Sequence, residues 1–120
     1  MLCAPATDET QHLIGAPELW VMKPHTWIVN IARGSLIDTD ALVSALSTGI
    51  IGGAALDVTD PEPLPNGHPL WGSPHALITP HVANTETTMA RDLAKRVQEN
   101  VRRYAAGEEL LAPVNPGAGY

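Results

Sequence analysis

The sequence predicts an α/β fold in which helices wrap a parallel sheet. Three observations support that class. The runs 27–31 (Trp-Ile-Val-Asn-Ile), 50–58 (Ile-Ile-Gly-Gly-Ala-Ala-Leu-Asp-Val) and 76–79 (Ala-Leu-Ile-Thr) are apolar without polar alternation, as strands covered on both faces are. Helix-forming segments alternate with them, giving the order strand, helix, strand, helix, strand, loop, strand, helix. The 120 residues suffice for one compact domain, which buries roughly two-thirds of its unfolded surface.

The elements follow in order. Leu2 to Ala4 is a short apolar stretch cut off by Pro5, the end of a strand. Pro17 suits a first helical position, so a short helix is expected from there to Met22, closed by Lys23 and Pro24. The strand at 27–31 lies between Pro24 and Gly34. Asp38 is placed to cap a helix reaching Leu46, with Asp40 near the positive end of its dipole and Gly49 as its terminator. In the next strand, glycines permit close helix approach. Pro61, Pro63, Pro65, Pro69 and Pro74 then exclude a long helix and leave a rigid surface loop. From Thr85 to Ala106, Met89, Leu93, Val97, Val101 and Tyr104 recur every three or four residues, predicting the longest helix, ended by Gly107. The expected organisation is a domain over residues 1–111 and a flexible Pro- and Gly-rich tail over 112–120. Trp20, Trp27 and Trp71 read as packing residues and Cys3 as a small buried apolar group.

Composition narrows the function classes. With 44% hydrophobic and 17% charged residues, the chain has the make-up of a soluble globular protein. Seven Lys and Arg against thirteen Asp and Glu leave a net charge of −6, which argues against nucleic acid or an anionic membrane as partner. Arg91, Lys95, Arg96, Arg102 and Arg103 share their helix with Asp92 and Glu99 and read as a solvated face. The single Cys3 permits no internal disulfide, and neither it nor the histidines show metal-ligand spacing, so no metal site is expected. No apolar run reaches the length of a membrane span and the N-terminus lacks the regions of a leader peptide, so the expected location is cytoplasmic.

In an open parallel sheet, ligands bind outside the carboxyl ends of the strands. There the sequence places Ala32-Arg33-Gly34-Ser35 after the first internal strand. Asp57 ends the second, with Glu62 in the following loop, and Thr79-Pro80-His81-Val82-Ala83-Asn84 follows the third. Each residue singly has a plain structural use, in capping, turn closure or surface. Together, an Arg fork that grips a carboxylate, a His that exchanges a proton with a carbonyl oxygen and a carboxylate that holds the His ring form a coherent set. Side chains cannot supply a hydride, so this chemistry requires a nicotinamide or flavin cofactor.

At these residues the sequence resembles the NAD-binding domain of the D-isomer-specific 2-hydroxyacid dehydrogenases, a family that includes glyoxylate/hydroxypyruvate reductases and phosphoglycerate dehydrogenases. The resemblance runs through Pro5-Ala6-Thr7-Asp8-Glu9-Thr10, Asn30-Ile31-Ala32-Arg33-Gly34, Gly53-Ala54-Ala55-Leu56-Asp57-Val58, Glu62-Pro63-Leu64-Pro65, His68-Pro69-Leu70-Trp71 and Thr79-Pro80-His81. It implies a partial Rossmann-like, doubly wound sheet, the C-terminal half of that fold, with about four strands and their covering helices. It also implies that Arg33 binds the carboxylate and carbonyl of a small 2-oxoacid, that His81 is the acid/base and that Glu62 pairs with it. By the same resemblance NAD or NADP lies against Pro5, Ile31, Ala32, Arg33, Asp57, His81, Val82, Ala83 and Asn84, Asp57 meeting the nicotinamide carboxamide. The full-length protein would be a homodimer, and the long helix would carry an apolar stripe toward the substrate domain.

The departures have consequences. Asn84 stands where the family has Gly, and Thr59 where it commonly has an aromatic; Asn tolerates a left-handed backbone, so the turn is compatible. No G-x-G-x-x-G occurs, nor the acidic ribose-binding residue beyond it, and the substrate domain is missing. The expectation is therefore a C-terminal part of an oxidoreductase, shortened or read from an internal Met. Alone it would bind cofactor weakly and turn over little. The alternative is a non-catalytic, dinucleotide-sensing or corepressor-like module of the same fold.

Overall fold

A computed structural model describes residues 1–115 and 117, and at positions 86 and 88 the backbone alone. The chain divides into two compact units, Met1–Ala83 and Asn84–Tyr120. The first carries α1 (Ala16–Trp20), β1 (Trp27–Asn30), α2 (Thr39–Ser47), β2 (Gly53–Leu56) and β3 (Ala76–Ile78). The second carries α3 (Glu86–Ala106). The expected tail over 112–120 falls partly on residues outside those described.

Local chemistry sets the element ends. Gly15 caps α1, and the Glu18 carboxylate returns to the Gly15 amide at 2.9 Å. Asp38 caps α2 through an Oδ1 that accepts the Ala41 amide at 3.0 Å, a contact of about 1 kcal/mol. The α2 helix ends at Thr48, after which Gly49 turns the chain with φ of 71°. At the end of α3, Gly107 does the same with φ of 70°.

The three strands are parallel in the order β1-β2-β3, with Asn30 beside Leu56 and Leu56 beside Ile78. The expected fourth strand at Leu2 is a single parallel bridge to Asn30, made by the Leu2 amide to the Val29 carbonyl at 2.8 Å. Residues Ile28, Asn30, Ala54 and Leu56 share a buried face and join Leu42 and Leu46 of α2 and Leu19 of α1 in the core. The opposite face carries Trp27, Val29, Ala55 and Leu77. Coverage there is incomplete: Leu77 is 58% exposed and Trp27 53%. Two-sided burial therefore holds for β2 at the centre and fails at β1 and β3, which have a strand on one side or only a bridge beyond them.

Two sequence expectations are corrected here. Trp20 is 71% exposed, because the inward position of its short helix is taken by Leu19. Cys3 is exposed, because it lies on the outermost segment of the sheet. Trp27 does pack, its ring lying over Gly53, where an added Cβ would come within 2.6 Å of it.

In the second unit the residues after α3 fold back along it. The Leu111 amide donates to Asn100 Oδ1 at 2.8 Å, and Arg102 bridges Glu99 and Glu108. Hydrogen bonds from Arg102 and Arg103 pull the Glu99 carboxyl down to about 2. The apolar stripe of α3, from Met89 to Tyr104, is exposed.

Candidate active site

Parallel strands bring their carboxyl ends to one edge, and each end of this sheet is fixed by a polar side chain. At β1 the buried Asn30 holds the turn that carries Arg33: its Nδ2 donates to the Arg33 carbonyl at 2.8 Å and its Oδ1 accepts the Ala32 amide at 3.0 Å. The sequence carries a signal for this, an Asn inside an apolar strand. Gly34 then passes so near the next loop that a Cβ would fall 2.0 Å from the Thr59 carbonyl carbon and oxygen. Thr39, at the start of α2, donates its hydroxyl to the Asp60 carbonyl at 2.7 Å and anchors the loop that presents Glu62.

Beyond β3, His81 adopts a left-handed backbone with φ of 56°, a conformation His tolerates better than most residues at some cost in strain. It meets Glu62 directly: Nδ1 lies 2.7 Å from Glu62 Oε1, with the two side chains 49% and 40% exposed. If Nδ1 donates that hydrogen bond, Nε2 is the nitrogen turned to any reacting oxygen.

Asp57 holds the turn from beneath. It is buried, with 6% exposure. Its Oδ1 accepts the Thr79 hydroxyl and the Val82 amide at 2.9 Å, and its Oδ2 accepts the Ala83 amide at 2.8 Å. Burial pushes this carboxyl up, but the hydroxyl of Thr79, the two amides and the charge of His81 outweigh it, and the net result is a pKa below the ordinary 3.8. A depressed carboxylate stabilises the fold fully above the unfolded value and loses that contribution as pH falls through its own lower value. In urea titrations, Asp57→Asn should therefore unfold earlier than the parent at neutral pH. That gap should narrow as pH falls below 3.8; a gap of constant size across the range would contradict the account.

Asp57, Glu62, Thr79 and His81 line a cavity of about 460 Å³, within the range of small-ligand sites. Leu64, Pro63, Ile78, Pro80 and Trp71 make its apolar wall. Trp71, read from sequence as packing, is instead half exposed and held over this cavity by its Nε1–H donating to the Pro65 carbonyl at 3.0 Å. Arg33 emerges at the same edge and does not line the cavity. It is exposed, and its Nη1 donates to the Ala32 carbonyl at 2.6 Å. Pro5, Ile31, Val82 and Ala83 are exposed, and Ala32 is buried. Asn84, also exposed, begins the second unit.

A parallel sheet with helices packed on it belongs to the doubly wound α/β class, in which ligands lie outside the carboxyl ends of the strands. Residues 1–83 match the profile of the family described as D-isomer specific 2-hydroxyacid dehydrogenase, NAD binding domain. A glyoxylate reductase of Thermofilum pendens is 41% identical over 111 residues, 92% of this chain and 33% of that protein. A protein of Corynebacterium melassecola from the region 3' of proB is 47% identical over 120 residues, all of this chain and 40% of its own. The crystal structure of a D-isomer specific 2-hydroxyacid dehydrogenase from Xanthobacter autotrophicus Py2, in complex with NADPH and MES, superposes with a TM-score of 0.87 at 42% identity. That match covers 98% of this chain and 48% of the other. The chain belongs to the D-isomer specific 2-hydroxyacid dehydrogenase family, through its NAD-binding domain. It spans 33% and 40% of the two curated relatives described.

Proposed function

We propose that this chain is the reaction-end part of an NAD- or NADP-dependent oxidoreductase that interconverts small 2-oxoacids and 2-hydroxyacids. The observation that carries the reading is the His81–Glu62 pair at 2.7 Å on the rim of the strand-end cavity. Family membership and the glyoxylate reductase relative support the substrate class.

The residues present fit the nicotinamide end of the cofactor. The apolar wall suits a flat ring. Three of the roughly four acceptor positions of the Asp57 carboxylate are taken by the chain's own donors, which leaves one on Oδ2 for a carboxamide N–H. No Gly-rich turn for a pyrophosphate occurs in the sequence, so the rest of the cofactor would be held by chain outside these residues. When bound, a reduced nicotinamide supplies the hydride.

In reduction, His81 Nε2 gives its proton to the oxygen of the substrate carbonyl as negative charge builds there. Glu62 accepts Nδ1–H and fixes the orientation of the ring. Arg33 turns its planar fork to the substrate carboxylate and fixes which face is presented. In oxidation His81 takes the proton back. The cytoplasm is the location the single cysteine favours, and a homodimer is the assembly the family resemblance suggests.

The test is a transplant. In the Thermofilum pendens relative, the 111 matched residues are replaced by this chain, and consumption of NADH or NADPH is followed with glyoxylate. Turnover is expected. A folded hybrid that binds cofactor and glyoxylate and consumes neither would overturn the proposal.

A further inference from the structure

The Thr79 hydroxyl meets Asp57 at a place in the turn where no backbone amide does. His81 sits on a left-handed backbone, and its turn is tied to Asp57, the His81 amide also reaching the Thr79 carbonyl at 3.1 Å. The His81 amide donates to the Asp57 carbonyl at 3.0 Å, while the Val82 and Ala83 amides take Oδ1 and Oδ2 at 2.9 and 2.8 Å. These donors all lie at His81 or C-terminal to it. On the strand side Pro80 has no N–H to give. There the Thr79 hydroxyl donates to Asp57 Oδ1, the same oxygen that receives the Val82 amide.

Three donors from both sides of the turn fix the plane of one carboxylate. Remove the hydroxyl, and the carboxylate is free to rotate about its last bond, so that its two oxygens no longer face both amides together. We propose that Thr79 is a positioning residue: through Asp57 its hydroxyl locks the left-handed turn at 81 and so sets the His81 ring against Glu62. This rests on the reading of His81 as the proton-transfer group. Thr79 itself moves no proton in it.

The experiment uses the ¹⁵N-labelled 120-residue chain with Thr79→Val, which keeps the shape and removes the hydroxyl, and Thr79→Ser, which keeps the hydroxyl and removes the methyl. Two quantities are read by NMR: exchange of the Val82 and Ala83 amides, and the ¹⁵N chemical shift of the His81 Nδ1, with Glu62→Gln marking the shift of a ring without its carboxylate partner. In Thr79→Val, exchange at both amides is expected to rise about tenfold and the His81 Nδ1 shift to move toward that of Glu62→Gln. Thr79→Ser is expected to match the parent, and the Ile28 and Ala54 amides to keep their protection in both. The proposal is overturned if Thr79→Val leaves either readout where it was. It is equally overturned if Thr79→Ser behaves like Thr79→Val, since the methyl would then matter, or if protection at Ile28 and Ala54 collapses, since the hydroxyl would then serve the whole fold. Neither readout needs cofactor or substrate, so a folded hybrid that binds both without turnover would end the functional reading and leave this one standing.

Discussion

Replacing His81 by Ala in the glyoxylate reductase hybrid is expected to lower the rate of NADH consumption by ~10²-fold or more. The loss should appear in kcat and kcat/KM alike, because the proton passes from Nε2 only as the carbonyl oxygen gains charge and contributes little to the bound ground state. Geometry is the warrant. Glu62 at 2.7 Å occupies one ring nitrogen, which leaves the other for proton transfer at a cavity that both residues line. Backbone effects are limited, since His81 holds its left-handed turn by main-chain bonds that Ala retains at a modest strain cost. Steady-state kinetics on the purified hybrid decide the matter; an unchanged rate would remove His81 from the mechanism.

The largest effect on stability is expected at Gly34. An added Cβ would lie 2.0 Å from the carbonyl carbon and oxygen of Thr59 and 2.6 Å from the Asp60 amide nitrogen. These are backbone atoms with no rotamer to escape into, so the turn bearing Arg33 and the loop bearing Glu62 must part. Gly34→Ala should destabilise the Met1–Ala83 unit by about 3 kcal/mol or more, a fall in Tm of ~12 °C or greater. Gly72→Ala is the control, since a Cβ there meets nothing within 4 Å, and it should shift stability by no more than about 0.5 kcal/mol. Equal melting temperatures for the two variants would show that the close approach at Gly34 is not a constraint.

The sheet was legible because its signals are local. Apolar runs without alternation mark strands whatever surrounds them, and Asp38, Gly49 and Gly107 cap or end helices through chemistry within a few residues. The rule that strand ends carry function pointed to Arg33, Asp57, Glu62 and His81, and the structure brings the last three to one cavity while Arg33 stands at the same edge beside it. What sequence did not convey depends on partners distant along the chain. Trp71 reads like any packing Trp until the loop folds and the Pro65 carbonyl fixes its ring. Thr79 and Asp57 are 22 residues apart, and nothing in either segment announces the bond between them. Exposure of Trp20 and Cys3 likewise depends on which neighbours cover them, which composition does not encode.

The sheet has two ends, and the His81–Glu62 pair stands at the carboxyl one. At the amino edge stands another cavity, of about 610 Å³, lined by Leu46, Gly49, Pro69 and His75 among others. Titration of the ¹⁵N-labelled chain with NADH and glyoxylate together distinguishes them. Weak, saturable shifts are predicted at Ala32, Arg33, Glu62, Trp71, His81 and Val82. Shifts confined to the amino-edge cavity, with those six unmoved, would contradict the account.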